Sequence, residues 1–134
     1  MQASTPPEEG ASSLYERVGG HETFVAIVGR FFESAKADTE LSRVYPGDDW
    51  EGAESRLLMF MEQYWGGPTT YSLIRGAPML RMRHMPYRIT PLGAQRWAAC
   101  WHRAIGSVAL DPADAEQLRA YADRASVFMI NADG

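Results

Sequence analysis

No Asp or Glu occurs between Gln63 and Leu110, in a chain of 134 residues with 17 acids against 13 Lys and Arg. The same stretch holds six arginines: Arg75, Arg81, Arg83, Arg88, Arg96 and Arg103. A basic middle of +6 therefore sits in a surround of 7 basic and 17 acidic residues, or −10. This excludes a uniformly acidic scaffold and directs attention to an anionic ligand for the middle. Other scarcities exclude more. Cysteine occurs once, as Cys100, so no intramolecular disulfide can form. No apolar run, that over residues 57–61 included, exceeds five residues, far short of the roughly 18 residues of a membrane span. Met1-Gln2-Ala3-Ser4 has neither the basic residues nor the apolar stretch of a signal peptide. One thiol and no leader give the expectation of a reducing, cytoplasmic setting. A chain that is 46% apolar and 22% charged is not disordered, and 14.9 kDa fits one domain.

What is present reads as helices. Residues 1–12 are small, polar and Pro-containing, which suits a mobile tail ahead of a domain over 13–134. Ser13-Leu14-Tyr15-Glu16 has the form of a capping box, and Gly19-Gly20 stops the helix it opens. Phe24, Ile27, Val28, Phe31 and Ala35 repeat at helical spacing over residues 22–35. Ala53, Leu57, Phe60 and Tyr64 do so over 49–64, before Gly66-Gly67-Pro68. Residues 66–89 lack regular periodicity, so a long ordered loop is expected there, with one short helix before His84. Thr90-Pro91 and Asp111-Pro112 each pair a capping side chain with Pro at the first helical position. The first opens a helix with Trp97, Trp101, Ala104, Ile105 and Val108 inward. The second turns Leu118, Tyr121, Ala122, Ala125, Phe128 and Met129 inward. No period-two strand and no internal repeat is visible. The expected class is all-α, with four substantial helices and one long loop.

The chemistry the residues allow is narrow. No phosphate-binding glycine loop, serine nucleophile elbow or zinc-protease helix occurs. The three histidines are too scattered for a zinc cage. His84 stands out in Arg81-Met82-Arg83-His84-Met85-Pro86-Tyr87-Arg88. A neutral imidazole is a good iron ligand, and one His can hold haem from one side. Nearby arginines suit its propionates. Leu80, Met82 and Tyr87 are apolar enough to cover the macrocycle. The plainer reading is an ordinary loop histidine. Phe60, Tyr64, Trp65, Trp97 and Trp101 sit at spacings that usually mean packing, whereas Tyr45 and Trp97 can also offer O–H and N–H donors inside an apolar pocket.

Leu14-Tyr15-Glu16-Arg17-Val18-Gly19-Gly20 resembles the opening of truncated haemoglobins. Arg43-Val44-Tyr45-Pro46, Asp48-Asp49, Met61-Glu62-Gln63-Tyr64-Trp65-Gly66-Gly67-Pro68 and Leu80-Arg81-Met82-Arg83-His84 resemble, in order, the group II or globin O type. The resemblance spans about residues 13–130. It implies a truncated globin, a two-over-two helical sandwich around haem b, with a long ordered loop before the proximal helix. It implies that His84 is the proximal iron ligand and that Tyr45 and Trp97 are distal hydrogen-bond donors. Ala53 falls where many larger globins have a distal histidine, and Leu57 faces the iron one turn later. Arg56 and Arg83 become propionate partners. Tyr64, Trp65 and Tyr71 become haem-edge residues, with Phe60, Leu80 and Tyr87 completing the pocket. One position departs from the pattern. The family usually has a distal Tyr where this chain has Phe32.

The resemblance implies reversible binding of oxygen, nitric oxide or carbon monoxide, with nitric oxide dioxygenase-type or peroxide redox chemistry fed by a separate reductase. It leaves open whether the protein is an enzyme and whether it forms a homo-oligomer. The alternative is a haem-based sensor or transfer protein that acts through a partner, its acidic exterior serving for docking. A third reading, single-stranded nucleic acid bound by interleaved arginines and aromatics, is disfavoured by the pI of about 5.3.

Overall fold

Residues 12–45 and 47–133 are described by a computed structural model. Most of the expected tail, residues 1–11, lies outside them. Every regular element among the described residues is a helix. The order is α1 (Leu14–Arg17), α2 (His21–Ala37), α3 (Thr39–Ser42), α4 (Trp50–Tyr64), α5 (Thr70–Arg75), α6 (Leu80–His84), α7 (Pro91–Gly106) and α8 (Pro112–Phe128).

The capping box forms as the sequence implies. Ser13 Oγ accepts from the Glu16 amide at 3.2 Å, and Glu16 accepts from the Ser13 amide at 3.4 Å. Thr90 and Asp111 cap α7 and α8 by accepting from Gly93 and Ala113, each at 3.0 Å, with Pro at the first helical position. The four long helices pack as α2 against α4 and α7 against α8, and α2 joins the two pairs through α7. This is the two-over-two sandwich. Phe24, Phe31, Trp101 and Leu118 form a sealed centre. Trp101 donates its indole N–H to the Leu118 carbonyl at 3.1 Å, which fixes α7 on α8.

Three expectations need correction. The stretch over 66–89 contains two short helices, α5 and α6, rather than one. Helix α3 has no signature in the periodicity; Asp38 creates it by accepting from the amides of Glu40 and Leu41. Tyr64 and Phe128 are not inward, being 49% and 62% exposed. Each is the last residue of its helix.

The double glycine has a steric reason. Gly66 has φ +101°, and a Cβ there would lie 2.5 Å from Ser13 Cβ. A Cβ on Gly67 would lie 2.8 Å from the Tyr15 ring and 2.9 Å from the Glu62 carbonyl. The chain leaving α4 thus passes against α1 with no room for a side chain. Gln63 then pins α5 to α4: it accepts from the Ser72 amide at 2.9 Å and donates to the Ser72 hydroxyl at 2.8 Å.

Candidate functional site

The two helix pairs leave a cavity of about 490 Å³ between them, within the range of small-molecule and cofactor sites. Its walls come from α2 to α8 and from the turn after α3. Of the residues singled out in the sequence, Phe32, Tyr45, Ala53, Arg56, Leu57 and Phe60 line it. So do Tyr71, Leu80, Arg83, His84, Tyr87 and Trp97. Tyr64 and Trp65 do not. Tyr64 borders a shallower neighbouring groove. Trp65 packs on Tyr64 and Tyr121, and its indole N–H is buried without a partner among the described residues.

His84 is held by its own helix. Its Nδ1 lies 2.6 Å from the Leu80 carbonyl oxygen. A carbonyl can only accept, so Nδ1 carries a proton, and in the neutral ring the lone pair is then on Nε2. This is the tautomer a metal-binding imidazole needs, with its orientation fixed by the second nitrogen. The turn is set from its start, where Met79 adopts φ +42°. A non-glycine residue in the left-handed region costs on the order of 1–2 kcal/mol. The surroundings hold it there. Arg83 donates from Nε to the Pro78 carbonyl at 2.7 Å and from Nη2 to those of Arg75 and Ala77 at 2.7 and 3.1 Å. From the C-terminal side, Asn131 Nδ2 donates to the carbonyls of His84 at 3.2 Å and Tyr87 at 2.9 Å. The Asn131 carboxamide oxygen accepts from the Ile89 amide at 2.8 Å.

A second cluster joins α2, α4 and α7. Phe32 is fully buried and meets Tyr45 and Trp50 edge to face at 5.6 and 6.0 Å. Trp97 stacks on Trp101 at 5.8 Å and donates its indole N–H to the Tyr45 hydroxyl at 3.3 Å. Tyr45 accepts that bond and so keeps its own proton to donate elsewhere. Burial pushes the Tyr45 phenol up to about 12, opposed in part by the Trp97 hydrogen bond and the Arg56 charge. Tyr45 is therefore a neutral donor at any ordinary pH.

The charge of the walls favours an anion. Arg56, Arg75 and Arg83 line the cavity with one carboxylate, Asp49, which pairs with Arg56 at 3.1 Å. Arg75 stacks over the Tyr71 ring at 5.9 Å. Arg81 turns away from the cavity and donates to the carbonyls of Phe128 and Ile130, and Arg96 pairs with Asp38 at 3.4 Å. The cation row of the sequence thus divides into cavity and surface roles. An imidazole in the ligating tautomer, apolar walls and a net positive rim fit a flat, apolar, dianionic metalloporphyrin.

Sequence reasoning misses part of the lining: Leu41, Val44, Arg75, Ile89, Tyr121, Ala125 and Met129. Tyr121, Ala125 and Met129 do carry a signal, since they recur every four residues. That spacing suggests packing against protein, and it serves equally for a wall facing a cavity.

Comparison with known proteins agrees with this geometry. Residues 13–131 match the bacterial-like globin family. The group 2 truncated haemoglobin YjbI of Bacillus subtilis is 36% identical over 97 residues, 72% of each chain. A thermostable haemoglobin from the actinobacterium Thermobifida fusca superposes with a TM-score of 0.87 at 45% identity, covering 90% of this chain and 98% of its own. The group II truncated haemoglobin of Bacillus anthracis gives 0.88 at 28% identity, covering 92% and 100%.

Proposed function

The chain belongs to the bacterial-like globin family and within it to the group II truncated haemoglobins, globins that bind haem and small gaseous ligands; from that premise we propose that it holds haem b on His84 and binds oxygen reversibly, in support of nitric oxide dioxygenation. The observation that carries this reading is the His84 Nδ1 bond to the Leu80 carbonyl at 2.6 Å in the wall of a haem-sized cavity. Haem, when bound, supplies a ferrous iron that takes oxygen, nitric oxide or carbon monoxide and serves as the redox centre for converting oxygen and nitric oxide to nitrate.

The protein's own residues supply the rest. His84 offers Nε2 to the metal while Leu80 holds its proton on Nδ1. Arg56 and Arg83, which line the cavity, would face the propionate carboxylates. Tyr45 donates its O–H toward a ligand in the cavity, and Trp97 orients it by donating to the phenol oxygen. A donor fixed before the ligand arrives stabilises developing negative charge without reorganising. Phe32 contributes no donor and makes that part of the wall apolar. Ala53 and Leu57 add no polar gate. Among the described residues, ligand retention therefore rests on the Tyr45–Trp97 pair.

No helix among the described residues is long and apolar enough to cross a membrane. The proposed turnover consumes an electron at each cycle, so a separate reductase is part of the proposal. The test is nitrate yield when the oxygenated protein meets nitric oxide in rapid mixing. Stoichiometric nitrate supports the reading, and loss of bound oxygen without nitrate refutes the dioxygenase role.

A further inference from the structure

Helix α6 has two unlike sides. Leu80 and His84 line the cavity, while Met79, Met82 and Met85 stand more than half exposed. On neighbouring α5, Leu73 and Ile74 are 83% and 67% exposed. Solvated proteins rarely leave so many large apolar side chains uncovered in one short stretch of chain. The Arg83 bonds to the carbonyls of Arg75, Ala77 and Pro78 tie the end of α5 and the linker after it to α6. Arg75 and Arg81 are exposed there. No acid lies within 63–110, whereas the rest of the chain carries −10.

We infer that this α5–α6 surface docks an acidic one-electron donor protein that reduces haem held by His84; the inference rests on the haem reading above. Three features select that partner. The positive charge of this surface attracts an acidic protein, and the negative remainder repels it from other faces. Exposed methionines give a soft, adaptable contact suited to a brief encounter. One short helix, about 10 Å across, separates the docking surface from the ligand of the metal. In the step itself one electron leaves the donor and ferric iron becomes ferrous. No bond forms or breaks, and no proton moves.

The test uses the haem-loaded protein and a strongly acidic flavodoxin as the probe. Binding is read by titration as ionic strength rises, and haem reduction is followed separately. Leu73→Glu and Met82→Glu add negative charge at exposed positions outside the cavity. Each is expected to keep the absorption spectrum and to weaken flavodoxin binding about tenfold at low salt. Glu116→Gln on exposed α8 should leave binding unchanged. Wild-type binding should weaken steeply with salt. Equal binding by all variants overturns the inference. So does concentration-dependent self-association abolished by Leu73→Glu, which would make the patch a contact between copies. Tighter binding of a single-stranded oligonucleotide than of flavodoxin, lost in the same variants, also overturns it. Failure of the haem reading is distinct, because it would show as a colourless protein whatever flavodoxin does.

Discussion

Phe32 tests the site most sharply of any single residue. Its ring is sealed against Tyr45 and Trp50 and borders the cavity, so Phe32→Tyr places a hydroxyl beside the existing donor. A further hydrogen bond to a polarised ligand is worth about 1.5–3 kcal/mol. Oxygen release should slow roughly ten- to hundredfold, and stopped-flow rates equal to wild type would refute this. The Tyr45–Trp97 pair predicts a pH profile. A neutral phenol donates and a phenolate cannot, so oxygen dissociation should be flat from neutral pH to 10 and quicken as pH approaches 12. The stability sign is set by an unfolded phenol near 10 and a folded one near 12. The contribution is complete below pH 10 and is lost as pH rises through that window. Trp97→Phe removes the hydrogen bond that favours the phenolate, and should move ionisation of Tyr45 still higher, as followed by ultraviolet titration. His84 is legible from its neighbours in sequence. Its tautomer is not, because that depends on where the Leu80 carbonyl points.

At the scale of elements, the long helices are legible, as are α1 from its capping box and the short helix before His84, whereas α3 and α5 are not. Helices α2, α4, α7 and α8 run for at least four turns, so their apolar stripes repeat often enough to be recognised. Helices α3 and α5 have four and six residues, too few to show a period. They depend on partners brought from elsewhere: Asp38 capping α3, and Gln63 binding Ser72 of α5. The segment that carries His84 depends on Asn131, which is distant in sequence and gives no signal there. Asn131→Ala removes three side-chain hydrogen bonds and should cost about 2 kcal/mol of stability, with faster haem loss to a scavenging globin. Unchanged haem loss would show that α6 holds its place without the C-terminal strap. The double glycine is an element-scale feature too. Gly67→Ala pushes against backbone as well as the Tyr15 ring, and should lower the melting temperature while leaving ligand kinetics near wild type.

For the whole molecule, part of the space between the helix pairs is a cavity of about 490 Å³ rather than packed side chains. A ligand held there would be a structural member. A group bound only by the folded state stabilises it in proportion to the logarithm of its occupancy. The apoprotein should melt at least about 10 °C below the haem-loaded form, read by calorimetry at matched protein concentration. The uneven charge, plain in the amino-acid order itself, also belongs to this scale. Arg56, Arg75 and Arg83 line the cavity, Arg81 bonds the carbonyls of Phe128 and Ile130, and Arg96 meets Asp38. Sequence alone cannot sort them, because that division is made by helices meeting in space.

The central claim is that His84 carries iron-bound haem in the cavity between the helix pairs, and the absorption spectrum of the purified protein with and without that imidazole tests it most directly. The wild-type chain should show a strong Soret band that shifts on reduction and again with carbon monoxide. His84→Gly should lose that signature and regain it when free imidazole is added to occupy the emptied position. A wild-type protein that stays spectrally silent after mixing with haemin, or a His84→Gly variant whose spectrum matches wild type without imidazole, would contradict it.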